Sequence, residues 1–249
     1  KTLDGKYVQS IQPGTVRDTR EFIRSHSEVK GFEVYGNNRY IYQYISDKYP
    51  ETEIKFDINK IKLVTIDIEV KSENGFPTVE KCDEEMLCIT LQDYATKRIL
   101  TFGVGAYHHN DPMVKYVQCN DEYDLLQHFM NFWSHDPPEV VTGWNCQLYD
   151  IPYLAKRITR VLGEKASKNL YKKFTYKAQE SYRLDYIGEV ELGQKKLDHS
   201  EYDTFKEFYT KAWNKFVDYN IQDVRIVDGL EEKMKLIELA VTMAFDAKV

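Results

Sequence analysis

The chain has 249 residues, 42% of them hydrophobic and 30% charged, which is ordinary for a globular protein of one large or two small domains. Its 34 Lys and Arg against 40 Asp and Glu residues give a formal net charge of −6, which excludes a global basic surface but not a local one. No apolar run is long enough to span a membrane, and we expect no signal peptide. The four cysteines form no CxxC pair, so we expect reduced thiols in the cytoplasm and no zinc site.

Residues 1–60 are polar and rich in turn signals. Residues 15–25 predict a short helix with Phe22 and Ile23 turned inward, and residues 35–45 are aromatic and β-prone. We therefore predict a small α+β or β-rich lead-in over residues 1–60, followed by a main domain over residues 61–249. The chain begins at Lys1 instead of a methionine, which is typical of a fragment or a processed protein.

The run at residues 64–70 is mostly β-branched and predicts a buried strand, but two acids interrupt it. Asp67 and Glu69 are two positions apart, so their carboxylates point to the same face of the strand. A buried pair of like charges is costly without a compensating cation, and oxygen ligands favour magnesium or manganese. The alternative is an ordinary half-solvated strand whose polar face is acidic.

The next elements alternate between strands and helices. Residues 71–77 form a loop with an apolar tip, and residues 86–94 and 98–104 predict a hairpin. Asn120-Asp121 can cap a helix that runs to about residue 134. Residues 139–143 predict another buried strand, and a further helix begins near residue 150 with a proline in its first turn.

The last third of the chain is mainly helical. Residues 165–177 contain five lysines and no acids, interleaved with aromatic residues, which indicates either a nucleic-acid contact or a solvated linker. The shortness of this pattern favours the linker slightly. From Tyr202 onward the spacing of the apolar residues predicts one helix through residues 205–216 and another over residues 226–243.

Two further acids lie where polar groups commonly serve chemistry. Asp150 lies at a helix start just after a strand, a position that often lines the active crevice of an α/β sheet. Tyr219 and Asp223 are four residues apart within a predicted helix, so they share a face and can reach one site together.

The stretches Asp67-Ile68-Glu69, residues 145–150 and residues 219–223 resemble, in this order, the three motifs of a DEDD-type 3′→5′ exonuclease. Tyr219, where a sister subgroup has histidine, indicates the DEDDy subgroup. The closer resemblance is to the proofreading domain of B-family DNA polymerases, especially those of T-even-type bacteriophages. It covers most of the chain, including residues 32–58, and it extends over residues 66–77, 142–153, 170–174, 181–187 and 219–224.

This resemblance implies a ribonuclease-H-like α/β fold, a mixed sheet flanked by helices. It implies a metal-dependent 3′→5′ exonuclease that removes 3′-terminal nucleotides from single-stranded or frayed DNA as the proofreading part of a replicative polymerase. The expected partners are the 3′ end of single-stranded or primer-template DNA and a polymerase core in the parent protein. We expect a monomer in the cytoplasm, that of the host cell if the gene belongs to a phage.

The resemblance also implies roles for individual residues. Two divalent cations, Mg²⁺ or Mn²⁺, would be held by four carboxylates, and Asp67 would bridge them. The four are Asp67, Glu69, Asp150 and Asp223. Tyr219 would hydrogen-bond the attacking water or the scissile phosphate, unless it is only a packed helical tyrosine.

At the substrate end, Asn145 and Phe76 would contact the 3′-terminal nucleotide, Phe76 by stacking on its base. The alternative for Asn145 is a residue that only shapes a turn. Lys195 or Lys196 could contact a phosphate, although neither has a place in the family pattern.

The chain departs from the family in two ways. Tyr202-Asp203-Thr204-Phe205 lacks the second aspartate of the Asp-Thr-Asp polymerase turn, so no polymerase motif is present. The region between residues 163 and 170 is shorter than in the family, whose insert includes a β-hairpin implicated in moving the primer between active sites. Two other functions remain open: a stand-alone DEDDy exonuclease that trims DNA or RNA, and a polymerase front end that binds nucleic acid without cutting it.

Overall fold

The computed structural model describes residues 1–2, 4–35, 44, 47–49, 57–73, 75–171 and 184–246. The chain forms two compact units, one of Lys1–Phe56 with Met243–Val249 and one of Asp57–Thr242. Most of the β-prone segment predicted at residues 35–45 and the second half of the lysine-rich stretch, residues 172–177, lie outside the described residues.

The first unit contains helix α1, Val16–His26, which confirms the helix predicted over residues 15–25. It begins with a capping box, because the Thr15 hydroxyl accepts from the Asp18 N–H at 3.3 Å and the Asp18 carboxylate accepts from the Thr15 N–H at 2.8 Å. Phe22 and Ile23 are only half-buried, and the Phe22 ring stacks on His26 with centroids 4.1 Å apart.

The second unit is built on a mixed sheet. Its strands are β1 Leu63–Val70, β2 Met86–Asp93, β3 Ile99–Gly103, β4 Val114–Gln118 and β5 Val140–Thr142. In the part of the chain that the structure describes, they form one five-stranded sheet in the order β4-β3-β2-β1-β5. The β1–β2 and β2–β3 pairs are antiparallel, whereas β3–β4 and β1–β5 are parallel. The predicted acidic strand and the predicted hairpin are therefore confirmed.

Helices cover both faces of this sheet. They are α2 Glu122–His135, α3 Asp150–Leu162, α4 Glu164–Tyr171, α5 Leu184–Leu192, α6 Phe205–Lys211, α7 Trp213–Met234 and α8 Leu236–Asp246. The apolar face of β1, with Ile66 and Ile68, packs against α2 and α3, while α6 and α7 pack on the face that carries Asp67 and Glu69. The Asp121 side chain accepts from the Asp124 N–H, which confirms the predicted cap of α2.

The predicted buried strand at residues 139–143 is instead a short edge strand. All three residues of β5 are half-buried, because among the described residues β5 pairs only with β1. Because β5 pairs with β1, the turn that follows β5 and precedes α3 lies beside the middle of β1.

The C-terminal helices begin and end at other residues than the spacing of the apolar residues predicts. The predicted helix over residues 205–216 is interrupted at Ala212, where φ is −135° and ψ is 53°. The second is interrupted at Lys235, which has a left-handed φ of 52°. A single non-helical residue barely disturbs the apolar spacing, and Phe208 and Phe216 still meet across the first break with centroids 5.5 Å apart. The periodicity of the apolar residues therefore cannot predict these breaks.

Among the described residues, no helix is both long and apolar enough to cross a membrane.

Candidate functional site

Strand β1 and helix α7 bring three carboxylates together. Asp67 and Glu69 share one face of β1, and Asp223 projects from α7. One carboxylate oxygen from each lies within 4.8 Å of the other two, and Asp223 is only 2% exposed. In the described ranges, this is the one cluster of acidic, histidine or cysteine side chains that is close enough to share a metal ion.

A fourth carboxylate joins them from the start of α3. Asp150 is 4% exposed, and its Oδ1 accepts from the backbone N–H of Ile68 at 3.4 Å. The turn that precedes α3 approaches β1 very closely at Gly143, where a Cβ would collide with the carbonyl oxygen of Ile66 and lie 2.8 Å from Cβ of Cys146. Glycine at this position therefore allows α3 to begin beside the acidic strand.

The cluster is electrostatically unfavourable when all four acids are charged. Burial, followed by repulsion from Asp150, Asp223 and Glu69, raises the pKa of Asp67 well above its usual range. Burial, with repulsion from Asp223, raises the pKa of Glu69 to about 8, and burial raises that of Asp150 to about 7. The site therefore favours either protons or cations on its carboxylates.

The donor set fits a hard divalent cation. All four side chains offer oxygen ligands, as magnesium and manganese prefer. Asn220 of α7 adds a further polar group, since its Nδ2 donates to Oδ2 of Asp67 at 2.6 Å. Its Oδ1 is fully buried and has no hydrogen-bond partner in the described part of the chain. This extra acceptor beside Asp67 matches a site built to receive a donor or a cation.

Lys196 brings a positive charge into the same site. Its Nζ donates to Oδ2 of Asp223 and, at 3.1 Å, to the hydroxyl of Tyr219. Burial lowers the pKa of Lys196, but Asp223 and Tyr219 outweigh that effect and raise it above its ordinary value, so the ammonium stays charged. Tyr219 and Asp223 thus reach one site, as their spacing along the helix predicts.

Phe76 and Asn145 lie outside the carboxylate cluster. Phe76 is 81% exposed, and its ring centroid lies 5.5 Å from that of Tyr149, the residue before Asp150. Asn145 is exposed, and its carbonyl accepts from the N–H groups of Leu148 and Tyr149 at 3.1 and 2.9 Å. The backbone of Asn145 therefore shapes the turn before α3, while its side chain is available to solvent.

Sequence reasoning assigned no role to Asn220 and left Lys196 without a place. The signal for Asn220 is its position inside the motif, next to Tyr219 and three residues before Asp223, which puts it near the same helix face. Lys196 carries no such signal, because it lies in an irregular segment between α5 and α6. Residues 165–171 of the lysine-rich stretch all belong to α4, and residue 165 lies near the start of that helix.

Comparison with known proteins gives a consistent assignment. Residues 27–212 match the family described as DNA polymerase family B, exonuclease domain. The DNA-directed DNA polymerase of Escherichia phage RB69 is 28% identical over 293 residues, covering 94% of this chain and 32% of that protein. The DNA-directed DNA polymerase of Enterobacteria phage T4 is 24% identical over 308 residues, covering 100% of this chain and 34% of that protein.

A similarity also extends to viral polymerases. The DNA polymerase catalytic subunit of Human herpesvirus 8 type P is 30% identical over 107 residues, covering 40% of this chain and 10% of that protein. The chain spans about a third of the length of the two phage polymerases. The match to the family covers most of the chain, and the mixed sheet flanked by helices agrees with it. The chain therefore belongs to the exonuclease-domain family of the family B DNA polymerases.

Proposed function

We propose that this chain is a metal-dependent 3′→5′ exonuclease that removes 3′-terminal nucleotides from single-stranded or frayed DNA. We further propose that it serves as the proofreading part of a replicative DNA polymerase whose polymerase core belongs to the parent protein. The observation that carries the proposal is the convergence of Asp67, Glu69 and Asp223 within 4.8 Å, with Asp150 beside them, in a chain of this family. A purely binding module has no use for such a cluster of acids.

In this proposal the four carboxylates would hold two divalent cations, Mg²⁺ or Mn²⁺. Bound divalent cations supply a nucleophile at neutral pH and stabilise the charge that develops on the phosphate oxygens. The raised pKa values of Glu69 and Asp150 provide a reason for the site to take up cations, because each cation replaces protons and relieves repulsion. Asn220 holds Asp67 in place through its donated hydrogen bond.

Lys196 and Tyr219 act on the substrate beside this cluster. The hydroxyl of Tyr219 accepts a hydrogen bond from Lys196, so its own proton remains free to be donated to the attacking water or to a phosphate oxygen. The Lys196 ammonium has three donors, which allows it to contact a phosphate oxygen while it stays near Asp223. Both groups thus favour the negatively charged transition state over the ground state.

The terminal nucleotide is bound at the other end of the site. Phe76 stacks on its base next to Tyr149, and the side chain of Asn145 contacts the same nucleotide. Stacking on the exposed Phe76 ring engages the face of a base and does not depend on its identity, so the ring can receive any 3′-terminal base. In this proposal the substrate is an unpaired 3′ end, which is what a mismatch at a primer terminus provides.

The test is digestion of a 5′-labelled single-stranded oligonucleotide in the presence of Mg²⁺. We expect a ladder that shortens from the 3′ end, and no cleavage with EDTA or with Asp67→Ala/Glu69→Ala. The matched control is Glu201→Ala/Glu207→Ala, which removes two carboxylates that pair with Lys215 and Lys211, away from the cluster. This control should cleave like the wild type.

Two results would contradict the proposal. A folded wild type that binds the strand but never cleaves it, with Mg²⁺ or Mn²⁺, would make the chain a nucleic-acid-binding front end. Equal trimming of RNA and DNA would instead support a stand-alone trimming exonuclease. Circular dichroism of each variant would establish that the loss of cleavage does not arise from unfolding.

A further inference from the structure

Glu73 lies where the chain leaves β1 and enters the loop that carries Phe76. Its carboxylate accepts from the hydroxyl of Tyr209 at 2.9 Å and forms an ion pair with Lys206, and both partners belong to α6. These two donors hold the pKa of Glu73 below its ordinary value, so the group is ionised. Its backbone N–H donates to Oε1 of Glu84 at 3.1 Å. We name Glu73, Lys206 and Tyr209 the Glu73 clamp.

The far end of the same loop is held by α3. Lys156 donates to the carbonyl of Val79 at 2.8 Å, and Arg157 and Arg160 donate to the carbonyl of Cys82 at 3.0 and 2.6 Å. The loop is therefore tied at its start to α6 and at its end to α3. The Phe76 ring at its tip is 81% exposed and projects into solvent.

An exposed aromatic ring on a loop does not by itself make a good stacking surface. If the loop were free to move, binding a base would have to restrict its backbone, and each residue ordered in this way costs conformational entropy. A loop fixed in advance avoids that loss, and preorganisation of this kind raises affinity. The Phe76 ring already lies 5.5 Å from Tyr149, whose neighbour Asp150 belongs to the carboxylate cluster.

We propose that the Glu73 clamp is a positioning device that holds the Phe76 loop in the geometry that stacks the 3′-terminal base. Glu73 acts through Phe76 and does not touch the reacting atoms, so it governs how tightly an unpaired 3′ end is bound, not how fast it is cut. This inference rests on the proposed function, because it assigns a role within substrate binding by the same site.

Removing the charge of Glu73 and releasing the loop should change the DNA affinity in opposite directions. Removing the negative charge of Glu73 near a polyanion should strengthen DNA binding if charge alone mattered. Releasing the Phe76 loop should weaken it. The two effects have opposite signs, so the direction of the change in affinity distinguishes them.

The experiment compares Glu73→Ala with the wild type on two 5′-fluorescein single strands, one with a normal 3′-terminal nucleotide and one with an abasic 3′-terminal nucleotide. Fluorescence anisotropy in EDTA gives the dissociation constants without cleavage. The matched control is Glu207→Ala, which also removes a glutamate paired with a lysine of α6. The Glu207 carboxylate pairs with Lys211 and accepts from the N–H of Asp203, and both partners lie outside the loop. Cleavage with Mg²⁺ gives kcat and KM for the same proteins.

We expect Glu73→Ala to weaken binding of the normal strand about fivefold, part of the stacking energy of one base. Binding of the abasic strand should be unchanged or slightly tighter, because that strand reports only the removed charge. KM should rise by a similar factor while kcat stays at the wild-type value. Glu73→Gln can still accept from Tyr209 and Lys206, so its affinity for the normal strand should lie between those of the wild type and Glu73→Ala. Glu207→Ala should match the wild type.

The inference is overturned if Glu73→Ala binds the normal strand as tightly as the wild type or more tightly. It is also overturned if the cleaving wild type does not distinguish the normal from the abasic strand, because there is then no stacked base to position. Failure of the proposed function has a different signature, namely a folded wild type without Mg²⁺-dependent cleavage. Thermal unfolding of Glu73→Ala and Glu73→Gln separates loss of positioning from loss of fold.

Discussion

At the scale of single residues, the site is a balance between repulsion and compensation. Asp67, Glu69 and Asp223 are close enough to repel strongly, and burial removes the water that would screen them. Lys196 and Asn220 offset part of this repulsion, through an ion pair with Asp223 and a hydrogen bond to Asp67. The remaining repulsion raises the affinity of the cluster for protons and would favour the cations of the proposed function.

The first prediction concerns stability as a function of pH. In EDTA, the folded state keeps a proton on Glu69 up to a pH of about 8, whereas the unfolded state releases it near 4.5. The folded state therefore binds more protons in this window, so the free energy of unfolding falls as pH rises through it. We expect the Tm in EDTA to be lower at pH 8 than at pH 6.

Mg²⁺ should reverse this trend, because it binds the deprotonated carboxylates and so stabilises the protein more at pH 8. Each 1 kcal/mol corresponds to about 2–4 °C in Tm for a chain of this size. Thermal unfolding at both pH values, with EDTA or MgCl₂, checks the prediction. Asp67→Ala/Glu69→Ala should lose most of the dependence and keep the part that Asp150 contributes. A wild-type Tm that Mg²⁺ leaves unchanged at pH 8 would contradict the prediction.

At the scale of elements, a buried ion pair places α3, and with it Asp150. Arg157 and Glu122 are 4% and 8% exposed, and Nε of Arg157 donates to Oε1 of Glu122 at 2.7 Å. The same oxygen accepts from the N–H of Met86 at 2.8 Å. One carboxylate thus joins the start of α2, the start of β2 and the middle of α3, on the side of the sheet opposite the acidic cluster.

The second prediction is that Arg157→Leu lowers the free energy of unfolding by about 3–5 kcal/mol, because it leaves Glu122 buried without a cation. Urea unfolding measures this loss. Arg160→Leu is the control, since Arg160 is exposed and donates to the backbone carbonyl of Cys82, not to a buried carboxylate. We expect a smaller loss from it.

Arg157→Leu combined with Glu122→Leu should recover only part of the stability. The double change removes the unpaired charge, but it also leaves the Met86 N–H without its acceptor. Equal stability of Arg157→Leu and the wild type would show that the pair does not anchor α3.

At the scale of the whole molecule, the proposed chemistry belongs to one unit. The four carboxylates, Tyr219, Phe76 and the Glu73 clamp all lie within Asp57–Thr242. We propose that the lead-in of residues 1–60 forms a separate domain and that residues 61–249 form the exonuclease domain. Because the net charge is −6, the proposed DNA substrate would have to be attracted by local groups such as Lys196, not by the surface as a whole.

The third prediction is that a protein beginning at Asp57 keeps Mg²⁺-dependent cleavage of a single strand from its 3′ end. The reason is that the sheet, the helices on both its faces up to Thr242 and the carboxylates come from the remaining chain. Digestion of the labelled oligonucleotide compares it with the full chain, and circular dichroism verifies folding. A folded but inactive protein would show that residues 1–56 contribute to the substrate site.

Much of the fold could be predicted from the sequence because the responsible signals are local. The alternation of apolar and acidic residues along β1, the hairpin of β2 and β3, and the Asp121 cap each depend on neighbours within a few positions. The order of the three acidic motifs was sufficient to indicate the family that the comparison then showed.

The sequence by itself therefore determined the central strands β1 to β3, the capped helix α2, the family and the candidate acids, whereas it gave no prediction for β4 or α5. Only the tertiary structure decided which side chains surround those acids. Asn220 bonds Asp67 across 153 positions, and Lys196 reaches Asp223 from an irregular segment. The breaks at Ala212 and Lys235 are likewise absent from the periodicity. The physical reason is that contacts between distant residues depend on the path of the whole chain, whereas periodicity and capping report only the local backbone.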